Sequence, residues 1–250
     1  MGPVWVIARR ELHSMFLSPL AWVVLAVVQF IMAWVFLVQV DTFSLMQQQY
    51  LMFQQRAPGV GDLIVAPLLS TASVVMLLVV PLLTMRLIAE EKRSGTITLL
   101  RAAPVGSAGI VLGKYLAILL FLALLVAMIA LMPASLAAGT DPDWGRLAAG
   151  VLGLFLMVAA FAAAGLFMST VTRQPVVAAI ATFGILLLLF LLNAASQGDD
   201  KLMNWLSLLS HYQAMLRGSF ATGDVIYYLV VMIAFLAFSV RKLDAERLQR

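Results

Sequence analysis

Two carboxylates, Glu90 and Glu91, stand directly before two cations, Lys92 and Arg93. A Ser94-Gly95 break follows, then Thr96 to Ala103 with Ile97, Leu99 and Leu100 as an apolar knob beside Arg101, and Pro104 ends the stretch. Paired charges next to a short apolar-patterned segment suit a small helix that lies along a membrane and docks into a groove on a soluble partner. The chemistry on offer is recognition by ion pairing and apolar contact. An ordinary solvated loop is the plainer alternative, but Ile-Thr-Leu-Leu beside a double carboxylate is not loop composition.

Other chemistry-bearing residues are sparse. The chain has no cysteine and two histidines, His13 and His211, which excludes disulfides, thiolate metal sites and a cysteine nucleophile. Fourteen methionines, with Met46 and Met52 in an apparent loop, raise copper as a ligand. Methionine fills gaps in apolar packing, and no tight Met/His cluster is present, so packing is the favoured reading. Ser210-His211-Tyr212 reads as a wet membrane edge, and the Gln47 to Gln55 run as an exposed loop or helix. No metal or cofactor is expected in this chain.

The polar stretch needs a scaffold, and the scaffold is apolar. Hydrophobic residues make up 63% and charged residues 11% of the 250, against about 25% charged in soluble domains. Without the period-2 alternation of a barrel, the class is all-α: a polytopic membrane protein. Residues 1–250 read as one transmembrane domain, with spans at about 20–40, 64–85, 115–138, 147–172, 175–193 and 225–240. Residues 1–18 form an amphipathic helix at the interface. An uncleaved first span is preferred to a signal peptide, because the run from Leu20 to Val40, at 21 residues, is too long and no small-residue cleavage site follows. Asp41 to Asp62 reads as a polar loop, and Ser107 as the cap of the third span's helix. Pro67 and Pro81 suggest kinks in the second span. Small-xxx-small pairs, Ala160 with Ala164 and Gly165 with Ser169, suit close packing inside the molecule. Leu202, Trp205, Leu206 and Leu209 predict an amphipathic helix lying flat on the outer interface between spans five and six.

Alternate assignment of the spans puts Arg9, Arg10, Arg86, Lys92, Arg93, Arg101, Lys114, Arg173, Arg241, Lys242, Arg247 and Arg250 on one side. Arg56, Arg146, Lys201 and Arg217 fall on the other. The excess marks the first side, with both termini and the polar stretch, as cytoplasmic. Charged residues sit only at span ends, so ion coupling, proton pumping and membrane-embedded hydrolysis have no obvious machinery. No internal repeat supports an inverted-repeat transporter. Energy for any movement is expected from another chain.

Ala89-Glu90-Glu91-Lys92-Arg93-Ser94-Gly95-Thr96, followed by Ala103-Pro104-Val105 and Val111-Leu112-Gly113-Lys114-Tyr115, resembles permease subunits of type-2 ABC transporters. Arg10-Glu11-Leu12, Ser18-Pro19-Leu20-Ala21, Leu209-Ser210-His211-Tyr212, Arg217-Gly218 and Val240-Arg241-Lys242-Leu243 extend the likeness to nearly the whole chain. Within that family the pattern looks most like the gliding-motility-like (GldF-like) group, with the nitrous-oxide-reductase-maturation permease as a relative. The resemblance implies that Thr96 to Ala103 is a coupling helix seated on an ATP-binding subunit, with Glu90 to Arg93 as its charged lead-in. The glutamates are then expected to bond Arg10 or basic residues of that subunit. Arg9, Arg10 and Glu11 fall on the implied elbow helix. No GxxxxGK[ST] loop occurs, so ATP and magnesium are expected on the partner. The likeness further implies a second permease copy, a bacterial inner-membrane setting and a possible periplasmic partner, while the modest net charge of +4, gathered on one side, points to membrane topology and to no nucleic acid. The expected function is ATP-driven movement of a substrate, with export as the direction. A relay or anchor that passes ATPase motion to periplasmic proteins is the alternative.

Overall fold

Residues 2–52, 59–96, 105–138, 143–195, 207–219 and 221–248 are described by the computed structural model, and all regular structure among them is helical. Helix α1 (Pro3–Leu17) ends at Ser18, and Pro19 opens α2 (Pro19–Met52). Proline suits a first helical position, where its missing N–H costs nothing. No glycine or proline then occurs before Pro58, so nothing stops the helix. At 34 residues it is about 51 Å long, well beyond the roughly 30 Å of a bilayer core. This corrects the expectation of a loop from Asp41: residues as far as Met52 continue the first span's helix.

A π-helical turn (Gly61–Val65) leads into α3 (Ala66–Thr84), and after a break at Met85–Ile88 comes α4 (Ala89–Ser94). Then follow α5 (Ser107–Ser135), α6 (Trp144–Val171), α7 (Pro175–Ala195), α8 (Leu208–Leu216) and α9 (Thr222–Leu248). Five stretches of 26 to 34 residues are long and apolar enough to cross a membrane, and Pro175–Leu191 is a shorter apolar helix. With lipid-facing side chains such as Phe30, Trp34, Leu131, Ile180 and Ile233 exposed, the chain is a multi-pass helical membrane protein. Gly106, not Ser107, caps α5, and no side chain bonds there. At α6 the cap is Asp143, whose carboxylate accepts from the Arg146 N–H at 3.1 Å.

Helix α6 is the axle of the bundle, contacting α3, α5, α7, α8 and α9. Small residues allow this. A Cβ on Gly150 would meet Leu69 at 2.8 Å, and one on Gly153 would meet Met215 at 2.8 Å. Ala160 and Ala164 are buried, so these small residues seat neighbours of the same chain. Where side chains are this short, helix backbones approach closely and van der Waals contact replaces the absent hydrophobic drive of lipid.

Two further expectations concern the last two helices. Leu202, Trp205 and Leu206 lie outside the described residues, and α8, which carries Leu209, packs one face onto the bundle. Leu208, Tyr212, Met215 and Leu216 are buried against the bundle, and the Tyr212 hydroxyl donates to the Leu69 carbonyl at 2.9 Å. Burial pushes that hydroxyl well above its ordinary pKa, so it stays a donor. His211 Nδ1 lies 2.6 Å from Asp224 Oδ1, and its ring stacks on Tyr227 with centroids 4.2 Å apart. The pair is a helix-to-helix tie between α8 and α9. Arg146 braces the same end, with a 2.6 Å ion pair to Asp62 and a 3.0 Å bond from Nε to the Leu216 carbonyl.

The other concerns the last helix. Helix α9 runs 27 residues, about 40 Å, where the sequence predicts a short span ending at Val240. The stretch from Arg241 continues as helix to Leu248, and Leu243 on it is buried.

Candidate functional site

The polar stretch emerges at a break in a membrane helix. Pro81 removes one N–H inside α3, and three residues later Thr84 turns its hydroxyl back to the Val80 carbonyl at 2.9 Å. Hydroxyl back-bonding of this kind bends helices. Beyond it the chain unwinds over Met85–Ile88, leaving backbone groups without helical partners. Ser169 of α6 supplies them. Its hydroxyl oxygen accepts from the Ile88 and Ala89 N–H groups at 3.0 and 2.9 Å and donates to the Met85 carbonyl at 3.0 Å. In lipid an unpaired backbone group is costly, and a neighbouring helix's serine is a known remedy. Gly165, one turn earlier, sits so close to Thr84 that an added Cβ would lie 2.1 Å from its hydroxyl. The Gly165/Ser169 pair therefore seats the break that aims α4.

From that break, α4 turns Glu91 and Lys92 inward and leaves Glu90 and Arg93 exposed. Glu91 Oε1 lies 2.8 Å from Lys114 Nζ, and Glu11 Oε2 of α1 lies 3.0 Å from the same nitrogen. Lys114 is 1% exposed and two turns inside α5. It is held there because α1 crosses α5 at Gly113, where a Cβ would be 2.8 Å from Ile7 and 3.0 Å from the Val4 carbonyl. One buried ammonium thus joins α1, α4 and α5. A carboxylate-sandwiched lysine is stable in a low-dielectric setting because its desolvation is offset by two counter-charges.

Lys92, next in sequence, turns toward a different helix. Its ammonium bonds the Thr170 carbonyl of α6 and pairs with Glu246 Oε1 of α9 at 2.7 Å, and its side chain is 6% exposed. Arg247, the next residue of α9, donates to the Val105 carbonyl at 3.2 Å. Residues 97–104 lie between these two anchors. A single turn of α9 holds the chain on both shoulders of that segment. Gly95 closes α4 with φ at +77°, a conformation that only glycine adopts without strain.

Of the expected site residues, Glu90, Glu91, Lys92, Arg93, Gly95 and Thr96 surround this junction, while Ile97, Leu99, Leu100, Arg101 and Pro104 lie outside the described residues. Glu90 pairs with Arg86, one turn back on its own strand of chain, at 3.8 Å with both side chains about half exposed. Neither glutamate bonds Arg10 among the described residues: Glu91 is committed to Lys114. Arg9, Arg10 and Arg93 are exposed. Glu11 is the elbow residue that the fold brings in.

Lys114, Ser169, Glu246 and Arg247 were not legible as site residues. Lys114 counts as one more solvated basic charge until the crossing at Gly113 buries it. Glu246 and Arg247 look like tail residues, although Leu236, Val240 and Leu243 carry a helical apolar stripe past Arg241, a signal that extends the helix to them.

The match to known families fits this arrangement. The family model described as ABC-2 family transporter protein matches residues 5–246, from the first turns of α1 to the end of α9. No curated protein matches the chain. Members of that family are transmembrane components that do not hydrolyse ATP themselves, the nucleotide being handled by a separate subunit. A multi-pass helical bundle spanning the whole match, with its polar junction gathered at one end, belongs to the ABC-2 transporter family as a membrane-spanning permease.

Proposed function

We propose that this permease is driven through Glu90 to Pro104, with Thr96 to Ala103 as the coupling helix on a cytoplasmic ATP-binding subunit and Glu90 to Arg93 as its lead-in. The observation that carries this reading is mechanical. The lead-in is tied to α1 and α5 through Lys114, to α6 through Ser169 and Lys92, and to α9 through Glu246. A push on the segment is then delivered to several membrane helices together, because each tie is a short polar bond rather than a sliding apolar contact. Closure of an ATPase dimer around ATP and magnesium would bring two such segments together and tilt the attached helices, opening and shutting a path between two permease copies.

The surplus of basic residues at the α4 end supports a cytoplasmic placement of both termini, in a bacterial inner membrane, and export is the favoured direction. The sequence pattern supports membership in the gliding-motility-like group. A relay that moves periplasmic proteins without carrying cargo uses the same ties, and the apolar spans favour it as the second reading.

Replacing Ile97, Leu99 and Leu100 together by aspartate is expected to abolish co-purification of the ATP-binding subunit while membrane insertion persists. Retained complex formation would remove the segment from the interface. Proteoliposomes carrying both subunits then separate the two readings, since ATP-dependent cargo movement belongs only to a transporter.

A further inference from the structure

We infer that the basic cavity between α4 and the turn joining α6 to α7 binds the head of an anionic glycerophospholipid, of the phosphatidylglycerol class. The cavity holds about 540 Å³ and is lined by Lys92, Arg93, Arg173, Gln174, Pro175 and Val176. Three of these side chains are cations and none is an acid. Two distant parts of the chain supply them, Lys92 and Arg93 from α4 and Arg173 from the turn. They meet because the Lys92 ammonium bonds the Thr170 carbonyl at the end of α6, which sets α4 over that turn.

The charges do not cancel. Glu246 answers Lys92 at 2.7 Å, and the same carboxylate oxygen stands 4.0 Å from Lys242. Arg93 and Arg173 have no hydrogen-bond or ion-pair partner among the described residues. Two guanidinium groups thus share one cavity without a counter-charge, and both are exposed to an incoming ligand. Phosphate is an anion that the guanidinium fork grips in bidentate fashion, and one phosphate between the two relieves their repulsion.

The walls select the source of the phosphate. Val176, in the lining, is 65% exposed, and Val177 and Ile180 further along α7 are 47% and 67% exposed. In a multi-pass membrane protein such apolar surface faces acyl chains, so the cavity passes from guanidinium to hydrocarbon within about one helical turn. A phospholipid fills both halves, with its phosphate at the arginines and its chains along the valines. An acidic patch on a soluble protein meets the arginines but not the valines. A zwitterionic head brings its own ammonium, for which the lining has no carboxylate, whereas an anionic head gains from each basic residue at the membrane edge. Binding here is independent of ATPase docking and is measured on the permease alone.

The test uses the full-length permease in phosphatidylcholine nanodiscs that contain a trace of phosphatidylglycerol, phosphatidylethanolamine or phosphatidylcholine with a photoreactive acyl chain. Adducts are expected on peptides containing Val176 and Val177, at least about fivefold more with the glycerol head. Arg93→Gln and Arg173→Gln should each lower that adduct roughly fivefold while the protein still elutes as a folded monodisperse species. Arg9→Gln, which removes an exposed cation at the same end but outside the cavity, should leave it unchanged. Equal labelling by the three heads, or labelling unchanged in both cavity variants, would overturn the assignment. An equal loss in Arg9→Gln would also overturn it, by showing diffuse surface charge in place of a site. Excess inorganic phosphate, against chloride of matched ionic strength, separates the two sources of phosphate. Adducts that persist support the lipid head; adducts displaced as fully as by unlabelled phosphatidylglycerol show a free-anion site and overturn it. Adducts lost on adding the ATP-binding subunit without nucleotide do so too, because the cavity is then a protein-docking surface.

Discussion

Lys114 shows what a single residue does when tertiary structure surrounds it. In sequence it is one of several cations near the ends of apolar runs; in the fold it is 1% exposed and flanked by Glu11 and Glu91. Removing one member of a buried ionic set leaves uncompensated charge, which typically costs about 3–5 kcal/mol, whereas replacing the whole set by neutral groups is often tolerated. Lys114→Met is therefore expected to lower the thermal unfolding temperature of the detergent-purified protein sharply. The triple variant Glu11→Gln, Glu91→Gln, Lys114→Met should recover most of that loss. A single variant as stable as the wild type would show the three groups to be solvated. Ser169 is a second residue of this kind. A serine on a small-residue stripe reads as packing, and nothing in its neighbours' sequence reveals that three backbone groups of a broken helix converge on it.

Among the elements, α9 differs most from its sequence reading. Its periodic apolar positions persist to Leu243, and the helix continues through Leu248, bringing Glu246 to Lys92 and Arg247 to the Val105 carbonyl. These two residues hold the chain on either side of residues 97–104. Reversing one charge, Lys92→Glu or Glu246→Lys, should uncouple ATPase stimulation from cargo movement in proteoliposomes while leaving complex assembly intact. Combining the two reversals should restore coupling at least in part. Two single reversals without effect, or a double reversal worse than either single one, would show that the pair carries no transmission. Helix α2 makes a complementary point. Its length was readable from the missing breakers between Pro19 and Pro58, but polar side chains from Asp41 onward suggest a loop. Polarity marks where a helix leaves lipid, not where it stops, because backbone hydrogen bonding continues in water as well as in hydrocarbon.

Taken as a whole molecule, the bundle separates two polar ends. One gathers α1, α4 and the end of α9 around Lys114 and Lys92; the other gathers α8, Arg146 and the His211–Asp224 tie. The proposed orientation places the first end in the cytoplasm. Because the chain has no cysteine, single introduced cysteines report sidedness directly. In right-side-out spheroplasts a membrane-impermeant maleimide should label Gly145→Cys and fail to label Thr96→Cys until the membrane is opened. The reverse pattern would invert the topology and with it the proposed ATPase contact.

The all-helical membrane class, the helical spans and the presence of one organised polar stretch followed from the sequence by itself. They depend on quantities that add up along the chain: apolar length, absence of breakers and charge at the ends of runs. The partners of that stretch were decided only by tertiary structure. Glu91 meets Lys114 because Gly113 lets α1 cross α5 closely, Lys92 meets Glu246 because α9 does not end at the membrane, and Ser169 meets the helix break because Gly165 leaves room for Thr84. Each pairing joins residues roughly 20 to 150 positions apart or more, and ion pairing is short-ranged in space rather than in sequence. No local pattern therefore encodes which cation a given carboxylate will meet.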